Sequence, residues 1–119
     1  MNVSGNSDAL LMKLLDAATL RHGAIANNIA NQNTPGYKRQ VVVFEEILEE
    51  ALVSGKKDLS RFAPLETTDQ VTPARSDGNN VTPELEQVAE QENRMLYETY
   101  VAILQGRYSL LNTAITAGN

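Results

Sequence analysis

The stretch ANNIANQNTPGYK, Ala26 to Lys38, decides how the chain folds, because a helix has to end inside it. Pro35 lacks a backbone N–H, and its ring pushes Thr34 out of the helical region. Asn tolerates the left-handed conformation that closes helices, so the end falls near Asn31 to Asn33, and Pro35-Gly36 reads as a turn. Upstream, Leu11, Leu15, Ala18, His22, Ile25 and Ile29 recur at alternating spacings of four and three. That is the seam of an amphipathic, coiled-coil-like helix, opened by a Ser7 cap with Asp8 in the first turn and widened by Leu10 and Leu14. Arg21 and Asn28 continue the Leu14 row and make its later part polar. Residues 1–7 are polar and are expected to stay disordered unless a partner orders them.

Downstream, Val41 to Phe44 is a β-branched run too brief to form a sheet alone. Phe44, Ile47, Leu48, Ala51 and Leu52 then fall on one face of a short helix, with Gly55 where a C-cap is wanted and Lys56 and Lys57 just beyond. From Asp58 to Asn80 the periodicity is lost; Pro64, Pro73 and Asp77-Gly78-Asn79-Asn80 mark irregular or extended, mobile chain. The last element is a long helix with Thr82 as N-cap, Pro83 at its first position, and Glu84, Glu86 and Glu90 near the positive end of its dipole. Tyr97, Val101, Leu104, Tyr108, Leu111 and Ile115 form one seam of it, and Leu96, Tyr100, Ile103, Leu110 and Ala114 the adjoining one. Two seams imply more than one neighbour. The expected fold is all-α: a single domain over residues 1–119 in which a helix with its end (8–33) and a C-terminal helix (82–117) pack as a pair, joined by a connector (34–81). At ~1.5 Å per residue the two helices extend for about 35 and 50 Å, long for a globule of this size, and so point to a bundle or filament.

Composition narrows the function. With 119 residues, no Trp and 5% aromatic content, the core is small and aliphatic, and marginal without partners. A net charge of -5 offers no basic stripe for phosphates, which excludes a nucleic-acid partner. No apolar run is long enough to span a bilayer, since Lys13 interrupts Ala9 to Leu15. The MNVSGNSD start has neither a basic n-region nor an apolar h-region, so Sec-type export is unsupported. Absence of cysteine removes disulfides and thiolate chemistry.

The candidates for chemistry are few. His22, the single histidine, lies in the helix seam with no Cys or Asp at ligand spacing, and reads as structural or interfacial. Glu45, Glu46, Glu49 and Glu50 occupy the solvent face left when Phe44, Ile47, Leu48 and Ala51 point inward. Asp77-Gly78-Asn79-Asn80 lacks the spaced carboxylates of a calcium loop. No catalytic residue, metal site or cofactor is expected.

Asn27, Asn28 and Asn31 sit where Ala would favour helix more strongly, so something other than propensity placed them there. Two readings stand level on physical grounds. They are a polar helix end with Asn33 as cap, or their amides hydrogen-bond neighbouring chains and fix register, as a buried Asn does in coiled coils.

The segment, through Asn27, Asn28, Ile29, Asn31, Asn33, Thr34, Pro35, Gly36 and Tyr37, resembles the N-terminal signature of the bacterial flagellar axial proteins, the rod, hook and hook-associated proteins. Gln32 and Val43 depart from the usual pattern. The short chain, the DGNNV segment from Asp77 to Val81 and the absence of a large inserted domain resemble the proximal rod members. The resemblance implies a structural, non-enzymatic subunit whose terminal helices pack with many copies into a torque-transmitting tube around an export channel. It implies subunit-interface residues Leu11, Leu15, Ala18, Ile25, Asn27, Asn28, Ile29, Asn31, Leu96, Tyr97, Tyr100, Val101, Ile103, Leu104, Tyr108, Leu111 and Ile115, and a motif turn at Asn33 to Tyr37. It further implies location in the basal body within the periplasm, reached by the flagellar type III route without a cleaved signal. The implied partners are other copies, the rod protein FlgC, the basal-body protein FliE and export-gate proteins. A sister rod protein and a soluble helical adaptor or export chaperone are the alternatives; the latter gives no reason for a TPGY turn after an Asn-rich helix end.

Overall fold

A computed structural model describes residues 3–118, and it is a rod of 67 by 29 by 15 Å. Helix α1 (Val3–Ala30) and helix α3 (Pro83–Ala117) run antiparallel and form the largest contact in the chain. Between them lie strand β1 (Gln40–Val43), helix α2 (Glu45–Val53), a 3-10 turn (Leu59–Arg61) and strand β2 (Leu65–Thr68).

Helix α1 begins at Val3, so Ser7 is inside the helix rather than its cap, and residues 3–7 are helical rather than disordered. The expectation for residues 1 and 2 lies outside the described residues. Tertiary contact accounts for the longer helix: Asp8 Oδ1 stands 3.1 Å from Arg107 Nε, so α3 runs alongside the first turns. The helix still ends where Pro35 requires, in a turn in which Asn31 N–H donates to Asn27 O and Thr34 N–H to Asn31 O.

The all-α expectation is corrected by a two-stranded antiparallel sheet pairing Gln40 with Thr68 and Val43 with Leu65. The valine run does need a partner, and it finds one in LETT, a short, mostly exposed segment whose two threonines favour a strand but whose length alone does not mark one. Helix α2 ends as Gly55 foretells. Gly55 takes φ +81, its N–H donates to Leu52 O, and Lys56 N–H donates to Ala51 O, the paired bonds of a Schellman motif. Phe44 and Leu48 lie buried on Ala17 of α1, with Leu10, Leu14, Leu59 and Phe62 packed around them. This small apolar core holds the connector on α1.

The seam between α1 and α3 is not the apolar one the spacing favours. On α1 the enclosed residues include Leu11, Ala17, Ala18, Ala24, Ile25 and Asn28, while His22 is mostly exposed. The buried residues of α3 are Glu86, Asn93 and Tyr100, a heptad of polar-headed side chains. Because this row faces α1, helix geometry puts the bulky apolar residues on its two shoulders. Tyr97 and Tyr108 are exposed on one shoulder, and Leu96, Ile103 and Leu110 on the other.

Candidate functional site

The Asn-rich helix end and the distant DGNNV segment are two halves of one joint. Gly36 N–H donates to Asp77 O at 2.8 Å, and Asn80 N–H to Tyr37 O. Asn79 Nδ2 donates to both Asn31 O and Thr34 O at 2.9 Å, while its Oδ1 accepts Val81 N–H at 2.7 Å. Lys38 Nζ donates to Gly78 O, and Arg75 reaches Gln32 O and Val81 O. A side chain at Gly78 has no room, since a Cβ there stands 3.2 Å from Gly36 Cα, and φ of +87 is itself costly for any residue with one. The buried Asn79 thus satisfies carbonyls just past the end of α1, while Asn80 Nδ2 donates to Asp69 O at 3.0 Å and its Oδ1 accepts Arg39 N–H at 2.7 Å, so α1 stops and α3 starts in a fixed relation.

Beneath this joint Asn28 is fully buried. Its Nδ2 donates to Gln40 O at 2.9 Å and to Glu86 Oε2 at 3.3 Å; its Oδ1 accepts Gln40 N–H at 2.8 Å and the Tyr37 hydroxyl at 3.0 Å. The Asn28 amide supplies a ladder of hydrogen bonds to β1, so the strand pairs with a helix side chain on one side and with β2 on the other. Glu86, also buried, accepts from Arg39 Nε at 2.6 Å, and Arg39 Nη1 donates to Asp69 Oδ2 at 2.7 Å. Burial and the Glu86 carboxylate push the Tyr37 phenol up, which keeps it a neutral donor.

One heptad along, a second network repeats the arrangement. Arg21 donates to Val42 O at 3.2 Å, to Glu45 Oε2 at 2.7 Å and to Asn93 Oδ1 at 3.1 Å; Asn93 Nδ2 donates to Ala18 O at 2.8 Å. Tyr100 OH donates to Glu45 at 3.3 Å. With Asp8–Arg107 farther on, the helix pair carries a polar ladder in register, and a slip by one turn would break every rung.

The residues named from the sequence therefore divide. Asn28 and Tyr37 belong to the interior of this joint, and Asn31 bonds locally, its Nδ2 to Asn27 O at 2.8 Å. Leu11, Ala18, Ile25 and Tyr100 are covered within the chain, and Leu15, Ile29, Val101 and Leu104 are half-covered. Asn27, Asn33, Thr34, Pro35 and Gly36 are exposed, as are Leu96, Tyr97, Ile103, Tyr108, Leu111 and Ile115. Arg21, Arg39, Asp69, Glu86 and Asn93 were not singled out for these roles, although the seven-residue spacing of Glu86, Asn93, Tyr100 and Arg107 was visible. His22 Nδ1 lies 2.6 Å from Glu90 Oε1 at an open groove of about 320 Å³, whose one hydroxyl besides that of Tyr97, on Thr19, donates to Leu15 O at 3.0 Å. No helix among the described residues is long and apolar enough to cross a membrane.

The joint is expected to weaken in acid. Asp69 is held well below the usual carboxylate range, chiefly by the Thr72 hydroxyl and also by backbone N–H groups of Thr72 and Val71 and by Arg39. A folded-state pKa below the unfolded value of about 4 means that the stabilisation is present above that pH and fades as pH falls. Urea midpoints should hold steady from about pH 7 to 5 and drop below about 4, with a shallower drop in Asp69→Asn. An equally steep drop in the variant would place the acid sensitivity elsewhere.

A long helical hairpin locked by polar side chains, with the apolar rows of α3 outside, has the form of an assembly subunit. Residues 15–38 match the family profile described as Flagella basal body rod protein. The flagellar basal body rod protein FlgB of Borrelia hermsii is 31% identical over 97% of this chain and 99% of its own length. That of Bacillus subtilis is 30% identical over 91% of the chain and 92% of its own, and that of Escherichia coli 25% identical over 88% and 89%. The chain belongs to the FlgB family of flagellar basal body rod proteins and is a structural subunit of the bacterial flagellar basal body.

Proposed function

We propose that the chain builds the proximal rod, a helical tube that surrounds the export channel and transmits torque, by burying the exposed shoulders of α3 and the outer face of α1 between copies. The observation that carries this reading is the inversion of polarity in α3: Glu86, Asn93 and Tyr100 are inside, while Leu110 is 72% and Ile115 58% exposed. Apolar rows of this length on a monomer mark protein contact surfaces. The interface draws on Leu96, Tyr97, Ile103, Tyr108, Leu111 and Ile115, with Asn27 on the outer face of α1. The joint holds the two helices in one geometry before assembly, and the distal turns of α3, which have the fewest neighbours, gain theirs on incorporation. The chain functions as one domain, travels by the flagellar type III route, and works in the periplasmic section of the basal body. FlgC, FliE and export-gate proteins are its proposed neighbours, and a non-closing heterologous contact gives the open tube.

The doubly substituted Leu110→Asp, Ile115→Asp chain tests this. Both sites are exposed, so the monomer should keep its helicity and its urea midpoint within about 0.5 kcal/mol, while motility and basal-body number collapse. Normal swimming by this variant would remove the assembly role of α3.

A further inference from the structure

The two shoulders of α3 differ in charge, and the difference selects what each can meet. Among the described residues, Arg21, Arg39, Arg75 and Arg107 are ion-paired, and Arg94 is the α3 cation that is not. It stands beside Tyr97 at the edge of one apolar shoulder, two turns before Val101. The opposite shoulder of Leu96, Ile103 and Leu110 has Glu92 along it instead. On the outside of α1, a shallow groove of about 440 Å³ runs over Leu20, Gly23 and Ala24, flanked by Asp16 of α1 and Glu66 of β2. Neither carboxylate makes an ion pair with a described residue, and the space above Gly23 is open.

Resting on the assembly role proposed above, we infer that the groove between Asp16 and Glu66 receives the Tyr97 shoulder of α3 from a second copy, with Arg94 set between the two carboxylates. The small floor at Gly23 and Ala24 admits the bulky Tyr97 side chain, as a knob from one helix enters the spaces of another. Charge selects this shoulder over the other: its own carboxylate, Glu90, is engaged by His22 Nδ1 at 2.6 Å, whereas Glu92 on the other shoulder makes no ion pair with a described residue and would face Asp16 and Glu66 with like charge. The surfaces are different patches of the same chain, so each copy offers one of each and the contact does not close on itself. Arg94 is thereby a positioning residue that sets which shoulder docks and at what height along the helix.

Charge reversal reads this directly in cells carrying the variant as their single copy. Arg94→Glu should lower the number of basal bodies by about tenfold or more, and Asp16→Arg together with Glu66→Arg should restore them in the Arg94→Glu background. The chain contains no cysteine, so Asp16→Cys with Arg94→Cys gives a clean cross-linking pair. In oxidised basal bodies the expected result is a ladder of multimers on a non-reducing gel, absent from either single variant. Wild-type assembly by Arg94→Glu, failure of the reversed pair to restore it, basal bodies without the ladder, or cross-linking to a different basal-body protein overturns this seating. If Leu110→Asp, Ile115→Asp abolishes assembly while Arg94→Glu does not, the seating alone falls. If the former variant assembles normally, the broader role falls with it.

Discussion

Arg39→Met should destabilise the folded chain by about 3–5 kcal/mol, a large share of the roughly 5–15 kcal/mol available to a domain. Arg39 is the cation between Glu86, which is 1% exposed, and Asp69, and its removal leaves both carboxylates uncompensated. Met keeps most of the aliphatic packing of the stem, so the loss reports charge rather than volume. Urea denaturation followed by far-UV circular dichroism at neutral pH measures it. Adding Glu86→Leu should recover a substantial part, because an apolar pair does not carry the cost of a buried unpaired charge. A midpoint shift equivalent to less than about 1 kcal/mol for Arg39→Met would show that water already screens the pair.

Asn28→Ala should cost about 2–3 kcal/mol despite the better helix propensity of Ala, which offsets at most ~0.7 kcal/mol. The substitution strands the Gln40 N–H and carbonyl and one oxygen of Glu86 in a buried place. Asn27→Ala, one residue earlier on the exposed face, should lie within about 0.5 kcal/mol of the parent. Amide exchange at Gln40 should accelerate in the first variant and not in the second. Equal effects would mean that these asparagines act through helix propensity alone.

These two residues mark where the sequence was readable and where it was not. Helix ends are written in local chemistry: Pro35 cannot continue a helix, Pro83 suits the first turn of one, and Gly55 supplies the positive φ a Schellman turn needs. The long apolar rows of α3 were equally legible, because a period near 3.6 is a property of one segment. The pairing face was not. Burial of Glu86, Asn93 and Asn28 in preference to His22 and Tyr97 depends on partners 9 to 75 residues away, and periodicity scores a polar side chain as outward whatever it meets. Strand β2 was hidden for the same reason, since Leu65 to Thr68 is a strand only because Val43 to Gln40 lies beside it.

The segment Ala26 to Lys38 and the amphipathic rows by themselves determined a long helix, its stop, a connector, a second long helix and a surface suited to assembly. Only the tertiary structure decided that Asn28 turns inward while Asn27 stays outside, that DGNNV closes on TPGY, and that the helix pair is registered by polar rungs. The physical reason is that a backbone end is set by the sterics of its own residues, whereas a buried amide or carboxylate is stable only where a distant partner completes its hydrogen bonds.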